Sequence, residues 1–202
     1  MYVELKDADC IVVGGGAVAL RKVQTLREFG GRICVIAPDI LPEIASMADV
    51  LCRRRPFAEE DLDGADLVVV ATDDAVLNHK ISQACKKRRI PVNVADQIKE
   101  CSFLFPAYLK AGEVVAACST GGLSPVLAQY VKERMRPVLT QQTGEMAALL
   151  GSLRETVRRQ VGTEEGRKRV YQTLLQLGQE KGELPSDEEI ADAIRQEAEK
   201  WP

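Results

Sequence analysis

Four groups of residues in this 202-residue chain have the types and spacing to do chemistry. The first is the turn Gly14-Gly15-Gly16-Ala17-Val18-Ala19. A dinucleotide site needs a glycine for a tight turn, a second where the backbone approaches the pyrophosphate, and a small third residue where helix packs on strand. Gly14, Gly16 and Ala19 supply these in order. A helix opening here offers its free N–H groups and its positive dipole end to phosphates. The second group is Pro38-Asp39, just past the next apolar run. An acid there reaches a ribose hydroxyl and repels the extra phosphate of NADP, which favours NAD; the other reading is that Asp39 caps the following helix. The third group is Thr72-Asp73-Asp74 with Asn93-Val94-Ala95-Asp96, both at carboxyl ends of apolar runs, where open α/β sheets place ligands. Thr72 and Asp73 suit the ribose or nicotinamide side of a cofactor, and Asp74 a helix cap. Asp96 follows a fully apolar run, so partial burial would tune it for proton transfer; its plainer reading is a turn former or cap. The fourth group is Ser119-Thr120-Gly121-Gly122-Leu123-Ser124-Pro125. It gathers hydroxyls and backbone N–H groups into an anion-binding nest suited to a carboxylate-bearing substrate, and it equally reads as a connection with Ser124 as N-cap and Pro125 at the first helical position.

The elements that position these groups alternate in the manner of βαβ units. Apolar runs at 10–13, 32–37, 50–53, 66–72 and 91–94 read as strands, and the 66–72 run is apolar enough on both faces to be central in a parallel sheet. Helical periodicity covers 18–29 and 74–89, and Pro38-Asp39 opens a short helix through Ile44 and Met47. After Asp96 the rhythm changes. Phe103-Leu104-Phe105-Pro106 and 114–118 read as strands with no long helix between them, hence a hairpin. From Ser124 onward the pattern is helical, with breaks near Pro137, near Gly162 and from Gly182 to Pro185, and Ser186 opens the last helix with capping-box spacing to Glu189. The expected fold is α/β: a Rossmann-like parallel sheet over 1–112, a small α+β dimerisation and substrate-loop segment over 113–145, and a helical region over 146–202.

Composition narrows the function classes. A net charge of -3 and a pI near 5.4 give no global attraction to nucleic acid or an anionic membrane. No stretch approaches the ~20 apolar residues of a membrane span, and Glu4, Lys6, Asp7 and Asp9 stand where a signal peptide needs an apolar run, so the expected location is cytoplasmic. The six cysteines are scattered singly and read as reduced, mostly buried thiols. His79, the only histidine, reads as an exposed helix residue, and no metal site is expected. Arg53, Arg54 and Arg55 read as a solvated strand end, with a phosphate of NADP as the alternative partner.

Taken together, Val13 to Lys22, Ala71-Thr72-Asp73-Asp74 with Asn78, Asn93 to Asp96, Phe103 to Pro106, and Ser119 to Pro125 with Leu127-Ala128 resemble the precorrin-2 dehydrogenases, including the amino-terminal region of bifunctional siroheme synthase. The resemblance covers most of the chain. It implies oxidation of precorrin-2 to sirohydrochlorin with NAD as hydride acceptor, on the route to sirohaem; some members also insert ferrous iron. It places Asp96 at the family's catalytic aspartate and Thr120 where some relatives have serine, in the loop beside the substrate. It assigns cofactor contacts to Ala17, Val18, Pro38 and Asp39. It further implies a homodimer whose middle segment exchanges contacts between subunits, with methylation left to another protein. Two rival readings stand beside the dehydrogenase: a dehydrogenase that is also a ferrochelatase, and a non-enzymatic NAD sensor. The substrate's carboxylates call for cations, for which Lys132, Arg134, Arg136, Arg154, Arg158, Arg159, Arg167 and Lys168 compete with a reading as solvated helix faces.

Overall fold

The computed structural model describes residues 3–200, which form two compact units, 1–105 and 106–202 by chain position. Unit one is a five-stranded parallel sheet with helices. Strands β1 (Asp9–Val13), β2 (Arg32–Ile36), β3 (Val50–Arg53), β4 (Leu67–Val70) and β5 (Val92–Val94) lie in the order β3-β2-β1-β4-β5. The reversal of strand order falls between β1 and β4, which pair in parallel from Cys10 with Leu67 to Val13 with Val70. Helices α1 (Ala17–Glu28), α2 (Pro42–Ala45) and α3 (Ala75–Arg88) make the connections. The strands are apolar on both faces because each face meets its own core. Cys10, Val12, Val35 and Val69 pack with Ala19, Val23 and Leu26 of α1 on one side. Ile11, Val13, Ile36, Val68 and Val70 pack with Ile81 and Cys85 of α3 on the other.

Two local expectations are corrected. The helix expected from Pro38 starts only at Pro42, with Leu41 as its N-cap, so Asp39 does not cap it. Phe103 to Pro106 is not a strand. Phe103 and Phe105 meet at a tilt, with ring centroids 5.2 Å apart and planes inclined at 59°, and pack on the α1 side of the core, while the Asn93 amide donates to the Phe103 carbonyl at 3.1 Å. Side-chain packing holds this segment in place of a ladder.

Unit two begins with the antiparallel hairpin β6 (Ala107–Ala111) and β7 (Val114–Cys118). A domain boundary after residue 112 was expected; the units divide at 105/106, because residue 112 lies in the turn of a hairpin whose two strands pair along their full length. Five helices follow: α4 (Pro125–Met135), α5 (Gln141–Ser152), α6 (Arg154–Gln160), α7 (Glu164–Lys181) and α8 (Asp187–Lys200). Val157, Val161, Val170, Leu174, Ile190 and Ile194 form the core of α6, α7 and α8, with Leu149 and Leu150 of α5 packed against it, while α4 lies against the hairpin. The capping box at Ser186 is present: Glu189 accepts from the Ser186 N–H at 2.9 Å and donates its own N–H to the Ser186 hydroxyl at 3.3 Å.

Candidate functional site

The glycine turn lies at the carboxyl end of β1, beside the strand-order reversal. Gly14 has φ +116, and a Cβ there would sit 2.2 Å from the Ala71 carbonyl oxygen, so only glycine lets the turn pass β4. Gly15 is equally constrained: its Cβ would lie 2.0 Å from the Asp39 carbonyl oxygen, and the Leu41 N–H donates to the Gly15 carbonyl at 2.9 Å. These contacts clip the loop after β2, with Pro38 and Asp39, against the turn. Gly16 differs, since a Cβ there would meet nothing within 4 Å. The backbone is open at the one position where a pyrophosphate needs to approach. Ala19 is fully buried under the helix, as a small residue at the helix–strand contact must be.

The start of α1 completes the cradle. Among the described helices of more than ten residues, it alone begins without a side-chain cap; Asp74, Ser124, Thr140, Thr163 and Ser186 cap the others. Its first N–H groups, at Ala17 and Val18, therefore lack the acceptor that a helix start normally recruits. An open glycine, an uncapped helix and a positive dipole end fit a dinucleotide pyrophosphate. Asp39 is exposed and needs no side-chain partner from the protein, which leaves its carboxylate for a ribose.

At the end of β4, Thr72 is engaged internally. Its hydroxyl donates to Asn78 Oδ1 at 2.5 Å and accepts from the Asp74 N–H at 3.2 Å, and the Asn78 amide donates back to the Thr72 carbonyl at 2.9 Å. Asp74 caps α3 by accepting from Val76 and Leu77. Asp73 is exposed beside them. The buried Asn78, which carries this loop, is a positioning residue that charge and motif reading alone left unexplained.

Asp96 sits in the turn after β5 with φ +58, a left-handed conformation unusual outside glycine and best tolerated by Asp and Asn. The partial burial expected for it is not found: the chain turns outward before the short 3₁₀ segment Ile98–Glu100, and Asp96 is exposed. Its neighbour is Lys22 of α1, a residue that motif reading missed as a functional group. The Lys22 ammonium lies 3.9 Å from the centre of the Phe105 ring. Burial pushes the Lys22 amine below its usual range, helped by the like charge of Arg21 and opposed by Cys101 and Asp96. A visible signal was the spacing, since Lys22 falls one turn after Val18 and one turn before the buried Leu26.

In unit two, the 119–125 loop follows β7. Gly121 (φ +62) and Gly122 (φ +82) make the turn. Much of its hydrogen-bonding capacity closes on itself. The Thr120 hydroxyl donates to the Ser124 carbonyl and accepts from the Ser124 N–H, both at 3.1 Å, and Ser124 caps α4 through the Leu127 N–H. Ser119 accepts from the Gly121 N–H at 3.2 Å, and its own O–H has no acceptor among the described residues. The nest is thus narrower than expected, with Ser119 as its outward hydroxyl and Thr120 as its brace.

Two of the three arginines at the basic strand end have an acidic partner, whereas Arg54 donates only to the Ile40 carbonyl, at 3.4 Å. Arg53 and Arg55 both bind the buried Asp61, and Arg55, with the Ala58 N–H and Arg53 behind it, holds the carboxyl well below the usual range, at about 2. His79 is exposed and contacts Glu100 at 2.8 Å. Cys10 and Cys85 are pushed up to about 11 by burial, and the six cysteines are free. Among the described residues no three His, Cys, Asp or Glu side chains gather as a metal site, and no helix is long and apolar enough to cross a membrane.

The sheet order and the open, uncapped turn at its switch point define a dinucleotide-binding α/β fold. Residues 1–107 match the model of the family described as "Putative NAD(P)-binding", and the chain belongs to that family. Siroheme synthase of Thioalkalivibrio sulfidiphilus is 40% identical over 179 residues, covering 87% of this chain and 37% of the relative. Siroheme synthases of Nitrosospira multiformis (36% over 183 residues) and Escherichia coli (37% over 178 residues) match 87% of this chain and 39% of their own lengths. The chain thus spans less than two fifths of these relatives. The solved structure of "SirC, precorrin-2 dehydrogenase" superposes with a TM-score of 0.74 at 24% identity, covering 100% of this chain and 98% of that one, which establishes a shared fold.

Proposed function

We propose that this protein oxidises precorrin-2 to sirohydrochlorin with NAD, on the route to sirohaem. The observation that carries the reading is an open dinucleotide cradle with an exposed carboxylate, Asp96, held by a left-handed turn at the end of β5 in the same sheet. The choice of substrate is supported by the siroheme synthase relatives and by the fold shared with a precorrin-2 dehydrogenase.

Oxidation of a saturated carbon–carbon bond in the macrocycle removes a hydride and a proton. Bound NAD supplies the hydride acceptor. The N–H groups of Ala17 and Val18 would hold its pyrophosphate at the open Gly16, Asp39 would accept from a ribose hydroxyl beside Pro38, and the loop of Thr72, braced by Asn78, would present the exposed Asp73 on the far side. Asp96 accepts the proton, and its exposure lets it return that proton to solvent after each turnover. Lys22, held over the Phe105 ring, interacts electrostatically with Asp96. Ser119, Thr120, Gly121, Gly122 and Ser124 form the loop that meets the substrate. NAD is preferred over NADP because Asp39 repels a 2′-phosphate and because Arg53 and Arg55 are occupied by Asp61.

The working form is a cytoplasmic homodimer joined through residues 113–145. Leu123, Val126, Leu127 and Tyr130 are all more than half exposed around the start of α4, an apolar surface that a second copy would cover. The test of the catalytic assignment is an Asp96→Ala variant assayed for NAD binding and for sirohydrochlorin formation. Retained binding with lost activity supports the role of Asp96; full activity would remove it.

A further inference from the structure

Helices α6 and α7 of unit two, with Leu150 of α5, line an open, largely apolar groove of about 790 Å³ in which four cations outnumber two acids. Arg154 and Arg158 project from one wall at i,i+4 spacing, and Arg167 and Lys168 from the other. Tyr171 and Leu175, one and two turns beyond Arg167, give the groove an apolar strip, and Leu175 is 42% exposed. Elsewhere in the same unit Arg136 pairs with Glu133, Arg169 with Glu165 and Arg195 with Asp192, while Arg134 and Arg159 stand singly on helix surfaces outside the groove. In the groove, Arg154, Arg158 and Lys168 have no hydrogen bond or ion pair from any described residue, although Glu155 and Glu164 line the same space. Arg167 is fixed by donating to the Val161 and Gly162 carbonyls at 3.1 and 2.9 Å, so its charge is held in place without being neutralised.

Like charges one turn apart on a helix destabilise it, and a second pair across a groove adds to the cost. Unpaired cations beside an aromatic ring and an exposed leucine match a ligand that is flat and apolar in its body and anionic at its edge. We propose that this groove binds the peripheral carboxylates of the tetrapyrrole, with Arg154, Arg158 and Lys168 as the carboxylate partners and Tyr171 and Leu175 against the ring. The inference rests on the tetrapyrrole reading above and adds to it the residues that select a polycarboxylate.

The probe is uroporphyrin, a stable polycarboxylate tetrapyrrole, titrated into the full chain by fluorescence, with coproporphyrin, which carries half as many carboxylates, and a single-stranded oligonucleotide as competitors. The expected result is binding that weakens with added salt, weakens for coproporphyrin, and falls at least ~10-fold in an Arg154→Gln/Arg158→Gln variant, since charge-assisted hydrogen bonds are lost. A Glu155→Gln/Glu164→Gln variant is expected to bind several-fold more tightly, as roughly follows from removing competing carboxylates, and Arg195→Gln to bind as the parent does. No uroporphyrin binding, equal binding by the arginine variant, or tighter binding of the oligonucleotide would each overturn the proposal. Dehydrogenase activity measured on the same preparations separates the two claims. A parent that binds uroporphyrin but never reduces NAD defeats the reaction, whereas an active parent whose groove variants bind unchanged defeats the groove.

Discussion

Replacing Gly16 by alanine separates cofactor binding from folding. At φ -87 and ψ -168 the residue lies in a region open to alanine, and the added methyl meets nothing within 4 Å of the protein. The folding cost is confined to the poorer N-cap propensity of alanine, up to about 1 kcal/mol, or a few degrees in Tm. The methyl nevertheless occupies the space through which a pyrophosphate reaches the N–H groups of Ala17 and Val18. Losing two charge-assisted hydrogen bonds, each worth about 1.5 kcal/mol or more, weakens NAD by roughly 100-fold. Gly15→Ala makes the contrast, because its methyl would stand 2.0 Å from the Asp39 carbonyl oxygen and 2.8 Å from the Ile40 Cα. The loop after β2 must then move by more than ~1 Å, breaking the Leu41 to Gly15 hydrogen bond, for a cost of about 1–3 kcal/mol. Calorimetric titration of NAD and thermal melts of both variants make the comparison. An unchanged NAD affinity in Gly16→Ala, or a Tm loss as large as that of Gly15→Ala, would refute the cradle argument.

Asp61→Asn is expected to destabilise unit one by roughly 2 kcal/mol at pH 7, read by denaturant unfolding, because Arg53 and Arg55 lose their common partner. The folded pKa of Asp61 is depressed to about 2, so its contribution is full above the ordinary carboxylate range and disappears as pH falls through about 2; the parent and variant stabilities should converge there. Cys10 and Cys85, fully buried with pKa values near 11, should resist a thiol reagent at pH 8 until the protein unfolds, as mass spectrometry of labelled peptides will report. Val126→Asp together with Tyr130→Asp should shift the protein from dimer to monomer in sedimentation, since both side chains are exposed on α4.

The sheet was legible because its strands are buried on both faces, so Val68, Val69 and Val70 are apolar whatever their neighbours. Gly14, Gly16 and Ala19 stood out by their spacing between a strand and a helix, and they are a left-handed turn glycine, an open glycine and a fully buried alanine. Gly15 did not stand out, because the group that forbids a side chain there is the Asp39 carbonyl, 24 residues away in the chain. The same holds for Phe103 to Pro106, an apolar run with the look of a strand whose fate is decided by the Asn93 amide and the α1 core. The partner of Arg53 and Arg55 was hidden in the fold of the following segment, although an acid six to eight residues on was there to see. The separation of α5 from α6 at Leu153 does have a local signal, Gly151-Ser152 in the last turn of α5, but an apolar pattern running through Leu149, Leu150 and Leu153 hides it.

Transfer of electrons from precorrin-2 to NAD on this protein, as proposed above, can be followed directly. Under anaerobic conditions, with precorrin-2 generated in place, NADH absorbance and the sirohydrochlorin spectrum are followed together. Both are expected to appear at the same rate in equal amounts, and neither without NAD. Sirohydrochlorin formed without NADH, or NAD bound with no oxidation of precorrin-2, would contradict it.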